Sequence, residues 1–377
     1  IIFVFFANVI GELFFPPDTP DWLRQVQTFA IFAAGYLARP LGGIIMAHFG
    51  DLVGRKRMFG LSIALMALPT LCIGLLPTYA TLGLAAPLLL LALRILQGAA
   101  IGGEVPGAWV FVAEHVTEKH TGYACSTLTA GLTAGILLGS LMATALNAAY
   151  TPGEIANWAW RLPFLLGGVF GIIAIYLRRW LHETPVFAEL QAKKALAAEL
   201  PLKTVLREHR GGVAVSMLLT WVLTAGIVVV ILMTPVYLQK AFAIAPAMAL
   251  KANSLATLSL TIGCVIAGLA TDRFGAGRTF VAGSLLLAMA TWNFYHALPM
   301  TGSELYVRYA LAGLTVGVIG AVPFVLVRAF PPVVRFSGLS FSYNVAYAIF
   351  GGLTPVLVTL MMKSDKLAPS HYVVMLS

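Results

Sequence analysis

Glu104 is the one carboxylate set deep in an apolar run of this chain. An ionisable group in hydrocarbon is costly, so it serves either a pathway for protons or ligands or a fixed ion pair. A carboxyl whose surroundings alternate between apolar and cationic can load and release a proton. Arg94 lies in the same apolar run, and Arg39 and Arg308 lie within or at the ends of others. Each keeps its charge and offers a planar fork suited to a carboxylate. Set against one deep acid, they leave the interior net positive, which attracts an anion and repels a cation. The alternative is that they lace helices together through carbonyls, or pair with an acid of the first span. Arg94 precedes Glu104 by ten residues, about 15 Å along a helix, so the two do not pair. Arg39 is expected to come nearest Glu104. Tyr343, Asn344 and Tyr347 share one helical face by their spacing. They can hydrogen-bond a substrate or hold neighbouring helices.

No enzyme chemistry is legible. The chain has no His-Glu-x-x-His and no Gly-x-Ser-x-Gly, so it offers neither a zinc site nor an activated serine. Cys72, Cys125 and Cys264 stand inside apolar runs without metal-ligand spacing and read as buried thiols. No metal and no cofactor is expected. His48, His182 and His296 read as interfacial residues without a part in proton transfer.

The elements that position these residues are membrane helices. Of 377 residues, 59% are hydrophobic and 10% charged, where soluble chains carry about 25% charged residues. Lipid must be the solvent for that much apolar surface. The formal charge of +9 does not come with aromatic interleaving on one face, so a nucleic-acid partner is excluded in favour of a membrane. Runs of about 20 apolar residues fall near 1–15, 25–48, 58–76, 84–112, 122–148, 160–181, 211–238, 252–270, 279–298, 304–328, 337–361 and 369–377. The chain opens and closes inside apolar runs, so the first and last of these twelve spans are expected to be truncated.

A short basic turn is written twice. Gly50-Asp51-Leu52-Val53-Gly54-Arg55-Lys56-Arg57 returns as Thr271-Asp272-Arg273-Phe274-Gly275-Ala276-Gly277-Arg278, with Asp51 on Asp272 and Gly54 on Gly275. Its glycines permit a tight link, and its acid can cap a helix N-terminus. Arg94 and Arg308 begin matching parts of the fourth and tenth spans, a second trace of duplication. With the 50–57 turn inside, that side collects Arg55, Lys56, Arg57, Lys119, Arg178, Arg179, Lys193, Lys194, Lys203, Arg207, Arg210, Arg273, Arg278, Arg328 and Arg335. The opposite side holds only Arg24, Lys240, Lys251, Lys363 and Lys366. That asymmetry makes the 50–57 turn cytoplasmic. Residues 182–210 form the one long polar connection, read as a surface linker with an amphipathic helix. The expected organisation is residues 1–181 and 211–377 as two halves of six spans each, joined by 182–210.

The turn Asp51-x-x-Gly54-Arg55-Lys56 resembles the signature loop of the major facilitator superfamily. Four stretches narrow the resemblance to its metabolite:H+ symporters. They are Ala38-Arg39-Pro40-Leu41-Gly42-Gly43, Arg94-Ile95-Leu96-Gln97-Gly98 leading to Gly102-Gly103-Glu104, Glu183-Thr184-Pro185-Val186-Phe187, and Arg335-Phe336-Ser337-Gly338-Leu339-Ser340 leading to Tyr343-Asn344. The resemblance implies an all-α fold of twelve membrane helices, two six-helix bundles related by a pseudo-two-fold axis. It implies a monomeric transporter in a bacterial inner membrane, driven by the proton gradient and working by alternating access. The group carries citrate, 2-oxoglutarate, shikimate, proline and betaine. The arginine excess selects an organic carboxylate among these, with a zwitterion such as proline or betaine as the alternative. The resemblance also makes Asp51, Arg55, Glu114, Asp272 and Arg335 a charge network that closes the cytoplasmic side. Exporters of this superfamily carry a Gly-Pro pair in the fifth helix. Here that helix reads Gly131-x-x-x-Gly135-x-x-x-Gly139, a small-residue packing stripe, which makes a proton-driven exporter the weaker reading.

Overall fold

The computed structural model describes residues 6–178, 180–193, 201–300 and 302–377, all in helices and their connections, with no strand among them. The start of the first expected span, Arg179, and the stretch 194–200 of the polar connection, Lys194 included, lie outside the described residues. Twelve helices correspond to the twelve apolar runs. They are α1 (Ala7–Phe14), α2 (Asp21–Leu52), α3 (Arg55–Leu75), α4 (Ala85–His115), α5 (Thr121–Ala149) and α6 (Leu162–Arg178). There follow α7 (Arg210–Phe242), α8 (Pro246–Phe274), α9 (Ala276–His296), α10 (Gly302–Arg328), α11 (Arg335–Met361) and α12 (Ala368–Leu376). Among the described residues nine of these are long and apolar enough to cross a membrane. The helix α9 has the length but carries Arg278, Asn293 and His296, while α1 and α12 are short. Most helices extend past their apolar runs because polar turns continue the hydrogen-bond ladder beyond the hydrocarbon. The protein is an integral membrane protein.

The chain forms two compact units. The first holds residues Ile1–Gly107 and Leu138–Leu202, the second Ala108–Leu137 and Lys203–Ser377, so the boundary falls inside α4 and α5. In the first unit, one end is filled by Ile10, Phe14, Ile73, Leu146 and Trp160. Phe14 meets Trp160 edge-on with ring centres 5.6 Å apart, the favourable aromatic geometry. Arg161 donates to the Gly74 and Leu76 carbonyls at 2.9 and 2.8 Å, satisfying acceptors that the end of α3 leaves open. Elsewhere α2 and α4 cross at backbone distance, for a Cβ on Gly98 would lie 1.9 Å from the Gly35 carbonyl oxygen. In a membrane, where lipid competes equally for apolar surface, such close approach holds helices together.

In the second unit α8 packs on α10, α7 on α11, and α9 on α10 and α12. Eight residues of α7, Gly226–Met233, take the wider π geometry, and Gly317–Ala321 of α10 take the tighter 3-10 form. The Thr234 hydroxyl donates to the Val229 carbonyl, and that of Tyr309 to Val230 at 2.6 Å. Side chains thus take up carbonyls that the irregular turn diverts from its own ladder. Before α12, Asp365 accepts from the Leu367 N–H and meets His371 Nδ1. Those two contacts, the Leu367 bond first, hold the Asp365 carboxyl below the usual carboxylate range.

Two expectations are corrected here. Cys72 is exposed, whereas Cys125 and Cys264 are buried. Gly131 and Gly135 are not a packing stripe, since a Cβ on either meets nothing within 4 Å. The reason is shared: in a membrane chain, lipid-facing and protein-facing surfaces are equally apolar and hydropathy cannot tell them apart.

Candidate functional site

In the first unit α4 carries Glu104 to a guanidinium. Its carboxylate lies 3.8 Å from that of Arg178, the last residue of α6, and the two side chains stay 24% and 23% exposed. Arg178 is itself positioned by Phe59 of α3. It donates to the Phe59 carbonyl at 2.9 Å and lies over the ring, 3.4 Å from its centre, a cation–π contact. The close pairing of α3 with α6 makes this possible. The cation at Glu104 is therefore Arg178, not Arg39. A residue near the end of an apolar run reads in sequence as part of the connection, as Arg178 does. Arg39 is buried on α2, 5.7 Å from the centre of the Tyr36 ring. Arg94 donates to Gln97 at 2.9 Å, and Gln97 to Thr70 at 2.7 Å. The Gln of the Arg-x-x-Gln-Gly stretch thus orients the arginine one turn before it.

The 50–57 turn also belongs to this unit. Asp51 and Arg55 pair at 3.6 Å, both nearly sealed from solvent, and Arg55 lies 5.6 Å from the Phe187 ring centre. The acid at the start of α3 is Glu183, whose carboxylate oxygens accept the Lys56 N–H at 3.1 and 3.2 Å. Glu183 also accepts from the Thr184 N–H, and Thr184 accepts from Phe187 to open the next short helix. Gly54 has φ +127°, and a Cβ there would fall 2.5 Å from Glu183. The Glu-Thr-Pro-Val-Phe stretch of the sequence is the plug that fits this turn.

The second copy of the turn, in the second unit, is wired differently. Asp272 accepts the Gly122 and Tyr123 N–H groups at 2.7 Å each, capping α5. Glu114, near the end of α4, receives Arg335 of α11 at 2.9 Å with its own side chain 1% exposed. Beside this pair Trp109 meets Tyr343 edge-on at 5.0 Å, and Tyr343 stands 5.5 Å from Tyr347. Trp221 stacks on Phe350 at 4.4 Å, so aromatic rings follow α11 over two turns. Asn344 donates to the Ser340 carbonyl of its own helix at 2.8 Å. Arg308 is not buried among apolar neighbours. It is 31% exposed, pairs with Glu304 at 2.7 Å and donates to Asn293. Glu304 sits one turn earlier on the same helix face, a spacing that announces such a pair. Among the described residues no group of three or more metal-ligating side chains gathers.

Residues 1–355 match the Major Facilitator Superfamily profile. A citrate-proton symporter of Klebsiella pneumoniae is 32% identical over 376 residues, spanning 98% of this chain and 84% of that protein. The inner membrane metabolite transport protein YhjE of Escherichia coli is 33% identical over 362 residues, 93% of this chain and 80% of its own. A Staphylococcus aureus chain bearing the name of a proline/betaine transporter is 31% identical over 391 residues, covering 100% and 82%. Among solved structures, the proton:xylose symporter XylE bound to 6-bromo-6-deoxy-D-glucose superposes with TM-score 0.77 over 99% of this chain and 88% of that one. The E. coli fucose:proton symporter FucP gives 0.72 over 100% and 95%. At 15% and 14% identity these two speak for the fold alone. The chain belongs to the major facilitator superfamily and, within it, to the group of metabolite carriers.

Proposed function

We propose that this protein is a proton-coupled symporter that brings a small polar metabolite into the cell by alternating access. It is a transporter, not an enzyme, works as a monomer and uses no cofactor besides the proton gradient. Its basic end, with the 50–57 turn and the 182–210 connection, faces the cytoplasm of a bacterial inner membrane. Residues 1–181 and 211–377 act as the two six-helix halves. One observation carries the coupling role. Of the acids on the membrane helices, Glu104 is held loosely, at 3.8 Å and about a quarter exposed, whereas Glu114 is sealed against Arg335. A carboxylate that exchanges its partner and meets water can take up and give back a proton.

The substrate is an organic carboxylate, with Arg94 as its anchor. The likeness to a citrate-proton symporter supports this. A zwitterion such as proline or betaine is the second reading, favoured by the rings of Trp109, Tyr343, Tyr347, Trp221 and Phe350, whose faces attract a quaternary ammonium. The test is uptake into proteoliposomes after a pH jump, with citrate, 2-oxoglutarate, proline and betaine, with and without a protonophore. Carboxylate uptake that collapses with the protonophore and with Arg94→Gln is the expected result. Betaine uptake indifferent to Arg94→Gln selects the second reading, and uptake blind to the pH jump sinks the symport.

A further inference from the structure

A pocket of about 200 Å³ opens between the first turns of α3 and the last turn of α6, lined among others by Lys56, Arg57, Phe59, Gly60, Ile175 and Arg178. Among the described residues, three of its lining side chains are cations and none is an acid. Arg178 is fixed in place by the carbonyl and ring of Phe59, so this cation is positioned before any ligand arrives. Lys56 is half-buried and Arg57 exposed, leaving both able to turn inward. Gly60 keeps the floor open, since a Cβ there would meet nothing within 4 Å. The place of the pocket adds to its charge. It lies where α3 begins and α6 ends, the depth at which headgroup phosphates sit beside spanning helices. Below it the same two helices turn large apolar side chains outward, Leu61 and Leu68 on one, Ile173 and Leu177 on the other.

We propose that this pocket binds the phosphodiester headgroup of an anionic phospholipid, whose acyl chains lie along α3 and α6. Three cations select against zwitterionic lipid, and the apolar faces below select against a free anion. The inference goes beyond the transport reading and does not depend on it. Arg178 is also the partner of Glu104, so a headgroup in the pocket and the Glu104 carboxylate share one guanidinium.

The test uses the full chain purified in detergent and native mass spectrometry. The probes are phosphatidylglycerol and phosphatidylcholine of identical acyl chains, with millimolar inorganic phosphate as competitor. Wild-type protein should retain phosphatidylglycerol about tenfold more tightly than phosphatidylcholine. Gly60→Leu fills the floor without touching a charge, in a helix interior where leucine is the better former. It should reduce that preference to about twofold or less, as should the double variant Lys56→Gln/Arg57→Gln. Equal retention of the two lipids by wild type, or full preference in both variants, overturns the proposal. So does displacement by inorganic phosphate, which would make the pocket a site for the free anion.

Discussion

Glu104 and Glu114 stand on one helix and differ in how firmly each is held. The loose contact of Glu104 with Arg178 leaves room for a proton, and Gln in its place keeps the shape but cannot ionise. One pH unit of gradient supplies about 1.4 kcal/mol per proton, enough for about tenfold accumulation. Glu104→Gln should therefore bring accumulation in proteoliposomes from about tenfold to about onefold while counterflow exchange persists. Wild-type accumulation in that variant removes Glu104 from the coupling role. The Glu114–Arg335 pair is a closed contact at 2.9 Å, and losing its charge should weaken the hold of α4 on α11. In Glu114→Gln, a cysteine placed at the buried Ser337 should react with maleimide about tenfold faster, a shift of about 1.4 kcal/mol. The swap Glu114→Arg with Arg335→Glu should return the slow rate, and labelling that stays slow in Glu114→Gln speaks against the contact as a latch. Sequence reading could isolate Glu104 because a carboxylate stands out in an apolar run, whereas Glu114 is named only through the family resemblance. Sequence reading could not supply the partner of Glu104, because Arg178 lies near the end of a run and only the α3–α6 pairing brings it inward.

The turns 50–57 and 271–278 are one element used for two purposes. Gly54 and Gly275 both have positive φ, +127° and +87°, which only glycine adopts at low cost. Around Gly275 there is open space, while a side chain at Gly54 would strike Glu183. Alanine at either position should strain the backbone by about 1–3 kcal/mol. Gly54→Ala should in addition displace Glu183 from the Lys56 N–H, and so lower the thermal unfolding midpoint in detergent further than Gly275→Ala. Equal losses would mean that Glu183 contributes nothing there. The duplication was legible because the turn keeps the residues that its geometry demands. The π stretch of α7 and the 3-10 stretch of α10 were not legible, for Gly-Ile-Val-Val-Val-Ile-Leu-Met carries no local signal of a wider helix. The glycines of α5 misled in the same way, since their spacing fits a packing face that the fold does not use.

For the molecule as a whole, the chain's composition required a membrane and the repeated turn required duplication, and both needed only counting along the sequence. The proposed orientation rests on charge. The basic end bears Lys193, exposed beside Glu189 in the polar connection. A cysteine at that position in cells should react with membrane-permeant maleimide and resist an impermeant one. Labelling by both would reverse the orientation. The substrate is less legible, because Arg308 is matched by Glu304 and the positive excess that sequence arithmetic assigned to the interior is smaller in the structure. One contact in the second unit bears on how such chains diverge. Asp272 grips α5 through the N–H groups of Gly122 and Tyr123, which belong to the main chain. At Tyr123 every residue except proline supplies the same donor. That side of the grip is immune to drift in side-chain identity, and the selective burden of keeping it falls on one aspartate and one close-packed glycine.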